Sequence, residues 1–244
     1  MFDEHAIFAV WDVETTGLDP TKDRIVEVAV TVCTPTQIIG HHSSLVNPGM
    51  KIPPEASAVH HIVNKHVASA PPIEAVMPTF AKLLQEPPAA YVAHNAATDS
   101  SFLSLKRAPW VCTLRLARRL LPDLPKHSNQ YLRYALELDV PEDIQAHRAL
   151  SDTIVTAKLL QYLLPKLPAS IKTAEDLRAY AEETVLLTTV NFGKHKGRKW
   201  SEVPRDYLTW LSNQPDFKTK DRDLRDTVLF YLGDHGNAPD DEPF

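Results

Sequence analysis

The stretch from Phe8 to Leu18, FAVWDVETTGL, limits the folds open to this chain more than any other. An apolar run from Ala6 to Val10 leads through Trp11 to Asp12 and Glu14, one valine apart, and then to Thr15-Thr16-Gly17. On a strand, residues i and i+2 share a face, so Asp12 and Glu14 present two carboxylates side by side. A buried strand gains nothing from adjacent like charges, which repel and lose hydration. A divalent cation removes that conflict, and hard oxygen donors at this spacing suit magnesium or manganese. The competing reading is a strand end whose acids face solvent. The small turn TTG weighs against it, because such a turn lets backbone approach a ligand closely.

A length of 244 residues predicts one substantial domain, alone or with a small appendage. No apolar run is long enough to span a membrane, and the acidic start MFDEHA lacks the features of a signal peptide, so a cytoplasmic location is expected. Cys33 and Cys112 fit neither a metal spacing nor a disulfide framework and read as small buried hydrophobes. The net charge of −5 argues against indiscriminate coating of nucleic acid, but it is unevenly spread. Lys106, Arg107, Arg115, Arg118, Arg119, Lys126 and Arg133 face the single acid Asp123 within residues 101–135. A second basic run spans Lys194 to Lys199, and the tail holds Asp234, Asp240, Asp241 and Glu242. Basic runs are commonly solvated surface, yet beside an acidic metal centre they also suit a polyanion.

The β-branched alternation of residues 24–33 predicts a second strand, and residues 38–46 a third, completing an antiparallel meander. Ile73 to Leu84 has helical spacing interrupted by Pro78, and Ala89 to Ala93 is a short strand-like run. Asp99 is expected to open a helix or lie in its first turn. Leu114 to Leu121, Tyr131 to Leu138 and His147 to Leu164 read as amphipathic helices. Strands first, then strand and helix alternating, indicate an α/β domain with a mixed sheet. Pro165 and Pro168 mark a linker, which sets a main domain at 1–168 and a linker helix with a small α+β module at 169–244. In that module, Thr173 to Thr184, residues 206–211 and Leu224 to Leu232 read as helices, and LLTTV as a strand.

Two further carboxylates extend the constellation. Asp99 follows His94-Asn95-Ala96, and Asp152 stands five residues after His147 in HRALSD. Five helical positions subtend about 140°, so His147 and Asp152 can line one site only if His147 precedes the helix that holds Asp152. Singly, each reads as a cap or a surface group. Together, Asp-x-Glu-Thr-Thr-Gly, His-Asn-Ala-x-x-Asp and His-x-Ala-x-x-Asp closely resemble the three motifs of the DEDD superfamily of 3′→5′ exonucleases. The His-x-x-x-x-Asp spacing is that of the histidine branch. The blocks EASAVHHIV, WVCTLRLARRLLP and FGKHKGRKWSEVP are similar to those of its exonuclease X group. One departure is Thr98, where the family usually has Phe.

The resemblance implies a ribonuclease H-like fold and metal-dependent 3′→5′ exonuclease activity that releases nucleoside 5′-monophosphates from DNA. It implies two ions, Mg2+ or Mn2+, held by Asp12, Glu14, Asp99 and Asp152, with His147 as general base. By the same carry-over Thr15, Thr16, Gly17, Leu18, His60, Ile62 and Asn95 form the substrate pocket. The expected partner is DNA with a free 3′ end, with a homodimer left open. An exoribonuclease would use the same metal site, and a non-catalytic binding module could keep the fold.

Overall fold

The computed structural model describes residues 3–84, 86–103, 105, 108–142, 144–219 and 221–233. Lys106, Arg107 and the acidic tail therefore lie outside the described residues. Contacts divide the chain into two compact units, one from Met1–Leu120 with His127–Glu182, the other from Leu121–Lys126 with Glu183–Phe244.

The first unit is built on a sheet of five strands: β1 (Phe8–Thr15), β2 (Ile25–Cys33), β3 (Ile38–Leu45), β4 (Ala90–Ala93) and β5 (Trp110–Cys112), in the order β3-β2-β1-β4-β5. The first three pair antiparallel as expected, while β4 joins β1 and β5 joins β4 in parallel. β5 was not foreseen, because three residues carry too little periodicity to read. The helices of this unit are α1 (Pro54–His60), α2 (Asn64–Val67), α3 (Ile73–Ala81), α4 (Ala96–Phe102), α5 (Thr113–Leu120), α6 (Asn129–Ala135), α7 (Ala149–Leu163) and α8 (Ala174–Glu182). α3 contains Pro78 and stops short of the expected Leu84.

Helix α7 organises the packing. It lies on β1 and β2, buries Val155, Ala157, Leu159, Leu160 and Leu163 completely, and is tied to β2 by a hydrogen bond between the Thr31 and Thr153 hydroxyls, 2.8 Å. The other face of the sheet is filled by Trp11, Val28, Val30 and Tyr91 with Val76 and Phe80 from α3. Cys33 is fully buried, and burial pushes its thiol up to about 12.

The first unit continues past residue 168. α8 packs on α5 and β5, buries Leu177 and Ala181, and takes up basic residues of α5. Arg119 stacks over Tyr180 at 4.2 Å, and Arg115 donates to the Glu182 carbonyl at 3.3 Å. Part of the basic run around α5 is thus used inside the fold.

The second unit holds α9 (Arg205–Ser212) and α10 (Arg222–Leu232) around Trp200, Leu208, Leu211 and Val228. The strand expected at LLTTV reduces to a single bridge, Thr189 to Lys199. The Leu187 N–H donates to the Thr227 hydroxyl, 2.9 Å, and a 3-10 turn at Gly193–His195 bends the chain before a ladder can extend.

Candidate active site

Strand β1 runs beyond its parallel neighbour. β4 pairs with Phe8, Ala9 and Val10 only, so Asp12 to Thr15 emerge where the sheet opens, between an antiparallel and a parallel partner. Crevices of this kind at the carboxyl ends of strands are where α/β sheets place ligands. Released from β4, the Val13 N–H donates to Asp99 Oδ1 at 3.2 Å. Asp99 lies in the first turn of α4 and is 4 % exposed.

Asp12, Glu14 and Asp152 converge, with one carboxylate oxygen from each within 4.8 Å of the others. Asp152 arrives on the first turn of α7, and its carboxylate is held from three sides. Oδ1 accepts from Gln130 Nε2 at 2.7 Å and from Asn129 Nδ2 at 3.5 Å, and Oδ2 accepts from the His147 N–H at 2.9 Å. His147 precedes the helix, as the angular argument requires, in the left-handed region with φ 58. Its side chain is exposed, and when protonated it favours the Asp152 carboxylate. Asp99 stands outside the convergent three but close enough that its charge raises Asp12.

Crowding shows in the electrostatics. Burial first, then Asp99, Glu14, Asp152 and Glu27, push Asp12 well above the usual carboxylate range. Burial and then Asp152, Glu27 and Asp99 raise Glu14 from 4.5 to about 8, with Arg148 acting the other way. Burial lifts Asp99 to about 7 against the Val13 hydrogen bond, and lifts Asp152 against those from Gln130 and His147. Four carboxyls that resist ionisation, three of them convergent hard oxygen donors, fit a divalent cation, whose charge offsets both the burial and the repulsion.

The turn after β1 is locked from below. Thr16 is buried and donates its hydroxyl to Asp23 Oδ1 at 3.0 Å, while the Asp19 N–H donates to Asp23 Oδ2 at 2.9 Å. A side chain at Gly17 would stand 2.4 Å from that carboxylate, which is why glycine occupies the position. Thr15 donates its hydroxyl to the Gly17 carbonyl. Leu18 projects at 85 % exposure.

The remaining expected pocket residues separate. His60 is buried, and its Nδ1 accepts from the Ile62 N–H at 3.0 Å. Burial lowers its pKa, and the Thr15 backbone opposes the shift. Ile62 is 2 % exposed and packs in a small core with Val26, Ile52 and Val67. Asn95 is exposed at the N-cap of α4, φ 77, and donates to the Thr98 hydroxyl at 3.0 Å. Threonine at 98 thus makes a polar contact that phenylalanine could not.

Sequence reasoning missed Glu27, Arg148, Asp23 and the pair Asn129–Gln130. Glu27 did carry a signal, as the only charge within a strand that is buried along its whole length. The others depend on long-range contacts that no local pattern announces.

Residues 9–160 match the exonuclease family. The chain belongs to that family. Among its exonuclease relatives, Exodeoxyribonuclease 10 of Escherichia coli strain K12 is 38% identical over 226 residues, covering 91% of this chain and 96% of the relative. The DNA polymerase III subunit epsilon of Treponema pallidum is 30% identical over 170 residues, 66% of this chain and 78% of the relative. Exonuclease X, solved in complex with 5′ overhanging duplex DNA, superposes with a TM-score of 0.61 at 36% identity, covering 71% of this chain and 99% of that structure. The mixed sheet flanked by helices is thus the ribonuclease H-like fold of DEDD exonucleases, and the family works with divalent metal ions, for which Asp12, Glu14 and Asp152 supply a fitting donor set.

Proposed function

We propose that this exonuclease is a 3′→5′ exodeoxyribonuclease that hydrolyses DNA from a free 3′ end and releases nucleoside 5′-monophosphates, using two Mg2+ or Mn2+ ions. The observation that carries it is the convergence of Asp12, Glu14 and Asp152 within 4.8 Å at the open end of β1. Similarity along nearly the whole length of a relative named an exodeoxyribonuclease supports DNA as the polymer.

Asp12, Glu14 and Asp152, with Asp99 beside them, would hold the ions. Bound there, the ions would make a nucleophilic water available near neutral pH and stabilise the leaving 3′-oxygen. His147 would take the proton of the attacking water, since imidazole titrates in the useful range. Gln130 and the His147 N–H keep Asp152 aimed while that proton moves. The Thr15–Gly17 turn, fixed by Asp23 and backed at Thr15 by buried His60, would receive the terminal nucleotide, with Leu18 against its base.

The test is digestion of DNA and RNA oligonucleotides of matched sequence, labelled at the 5′ end, with magnesium and with chelator. Stepwise shortening of DNA that stops in chelator is the expected outcome. Preferential shortening of RNA would replace the polymer, and internal cuts or cleavage in chelator would overturn the mechanism.

A further inference from the structure

In the second unit, Lys194, Lys196, Arg198 and Lys199 fall within six residues and are all exposed. Among the described residues none of their side chains has an ion-pair or hydrogen-bond partner. The shape of this turn requires only its glycines. Gly193 and Gly197 have φ 62 and 89, and a side chain at Gly193 would stand 2.9 Å from the Tyr207 hydroxyl. Glycine explains the turn and leaves its charge unexplained.

An aromatic path leads from the turn to the surface of α9. Buried His195 meets Tyr207 edge-on, with ring centroids 4.5 Å apart, and Tyr207 packs against Trp210 one helical turn on, at 5.3 Å. The two tryptophans of this unit differ sharply. Trp200 is 1 % exposed and sits in the core, whereas Trp210 is 53 % exposed and outside it. Core packing thus does not account for Trp210. The acids of this segment are Glu202 and Asp206, both exposed, and Asp206 accepts from the Tyr207 N–H in the first turn of α9.

We propose that this face of the second unit binds a single-stranded stretch of nucleic acid, with the four cations on its phosphates and Trp210 stacked on a base. A run of unpaired cations complements a polyanion. A solvent-facing indole joined through Tyr207 to the same turn selects for unpaired bases, because only these offer a free face for stacking. The identity of this polymer with the substrate rests on the exonuclease reading, while the binding face itself does not.

The experiment uses the full chain in chelator, so that nothing is cut, and a long labelled oligothymidylate. Affinity against salt is measured for the wild type, for Lys194→Ala/Lys196→Ala/Arg198→Ala/Lys199→Ala, and for Trp210→Ala, Trp210→Leu and Trp210→Phe. The quadruple change should lower the slope of log affinity against log salt by about 3, at about 0.7 per phosphate contact on a single strand. Trp210→Ala and Trp210→Leu should each weaken binding by about tenfold without altering the slope, and Trp210→Phe should restore it. Leucine keeps the apolar volume, so a loss shared by both is a loss of stacking. Hydrolysis of p-nitrophenyl thymidine 5′-phosphate with magnesium should be unchanged in every variant. Failure of the wild type to cleave that ester would remove the exonuclease reading and leave the binding result standing. Equal affinities and parallel slopes in all variants would overturn the proposal. So would full affinity of Trp210→Leu, or a shift from dimer to monomer in Trp210→Ala with binding unchanged, which would make the face a contact between copies.

Discussion

Arg148 grips Glu27 in a two-point ion pair, Nε to Oε2 at 3.1 Å and Nη2 to Oε1 at 2.6 Å, and the next residue, Ala149, donates its N–H to the same Oε2 at 2.9 Å. Glu27 is 4 % exposed and faces Glu14 across the β1–β2 ladder. Opposed like charges destabilise a strand pair, and each of the two is offset differently. Arg148 compensates Glu27, and a bound cation would compensate Glu14. Because Glu27 also holds the first N–H of α7, the pair fixes where that helix begins, and so where His147 and Asp152 stand.

Glu27→Ala should therefore cost stability and turnover together. Removing one member of a buried pair strands the other, and Arg148, whose side chain is 38 % exposed, recovers part of the loss from water. The expected destabilisation is about 2 kcal/mol, read from urea unfolding. Turnover on oligonucleotides should fall more than KM changes. A stable variant with wild-type kinetics would show that α7 is positioned without this anchor.

Asp12→Asn and Asp152→Asn should each abolish metal-dependent cleavage, and Asp12→Asn should leave the chelated protein at least as stable as the wild type, because it removes a charge from a crowded buried cluster. Thermal melts with and without magnesium report this directly. The wild type should gain stability from the ion and the variants should not.

The ion-free protein should lose stability as pH rises. Glu14 moves from 4.5 to about 8 on folding, and Asp12, Asp99 and Asp152 are raised as well, with Glu27 adding to the repulsion and Arg148 relieving it. Between those two pH values the native state keeps a proton that the unfolded chain has released, so stability is present below 4.5 and is lost on approaching 8. Saturating magnesium should flatten the decline. Urea midpoints across that range, in chelator and in magnesium, provide the check, and a chelated midpoint that climbs with pH would contradict the buried cluster.

His147→Asn should lose ~10²–10⁴ in turnover, the range of a positioned general base, and keep the stabilisation by magnesium. Asparagine tolerates the left-handed backbone at φ 58, and the N–H that holds Asp152 is unaffected by the side chain. A matching loss of metal-induced stabilisation would make the imidazole a ligand.

Gly17→Ala should raise KM on DNA more than it lowers kcat, since its methyl group would collide with the Asp23 carboxylate that anchors Thr16. Steady-state kinetics separate the two. An unchanged KM would remove this turn from substrate binding.

Much of this was legible along the chain, because period and spacing are local properties. The β-branched alternation of β2, the Asp12–Glu14 spacing and the five-residue step from His147 to Asp152 each follow from the geometry of one element. They determined the antiparallel meander, the shared face of the two acids and the need for His147 to precede its helix. The tertiary structure alone decided what those elements meet. Glu14 faces Glu27 only through strand register, Arg148 reaches Glu27 across 121 residues of chain, and Gln130 supports Asp152 only because α6 packs on α7. Tertiary contacts also turned LLTTV away from a strand, since the Leu187 N–H found the Thr227 hydroxyl 40 residues on. Register and long-range hydrogen bonds set the environment of each carboxylate, and that environment, more than the residue type, governs its charge.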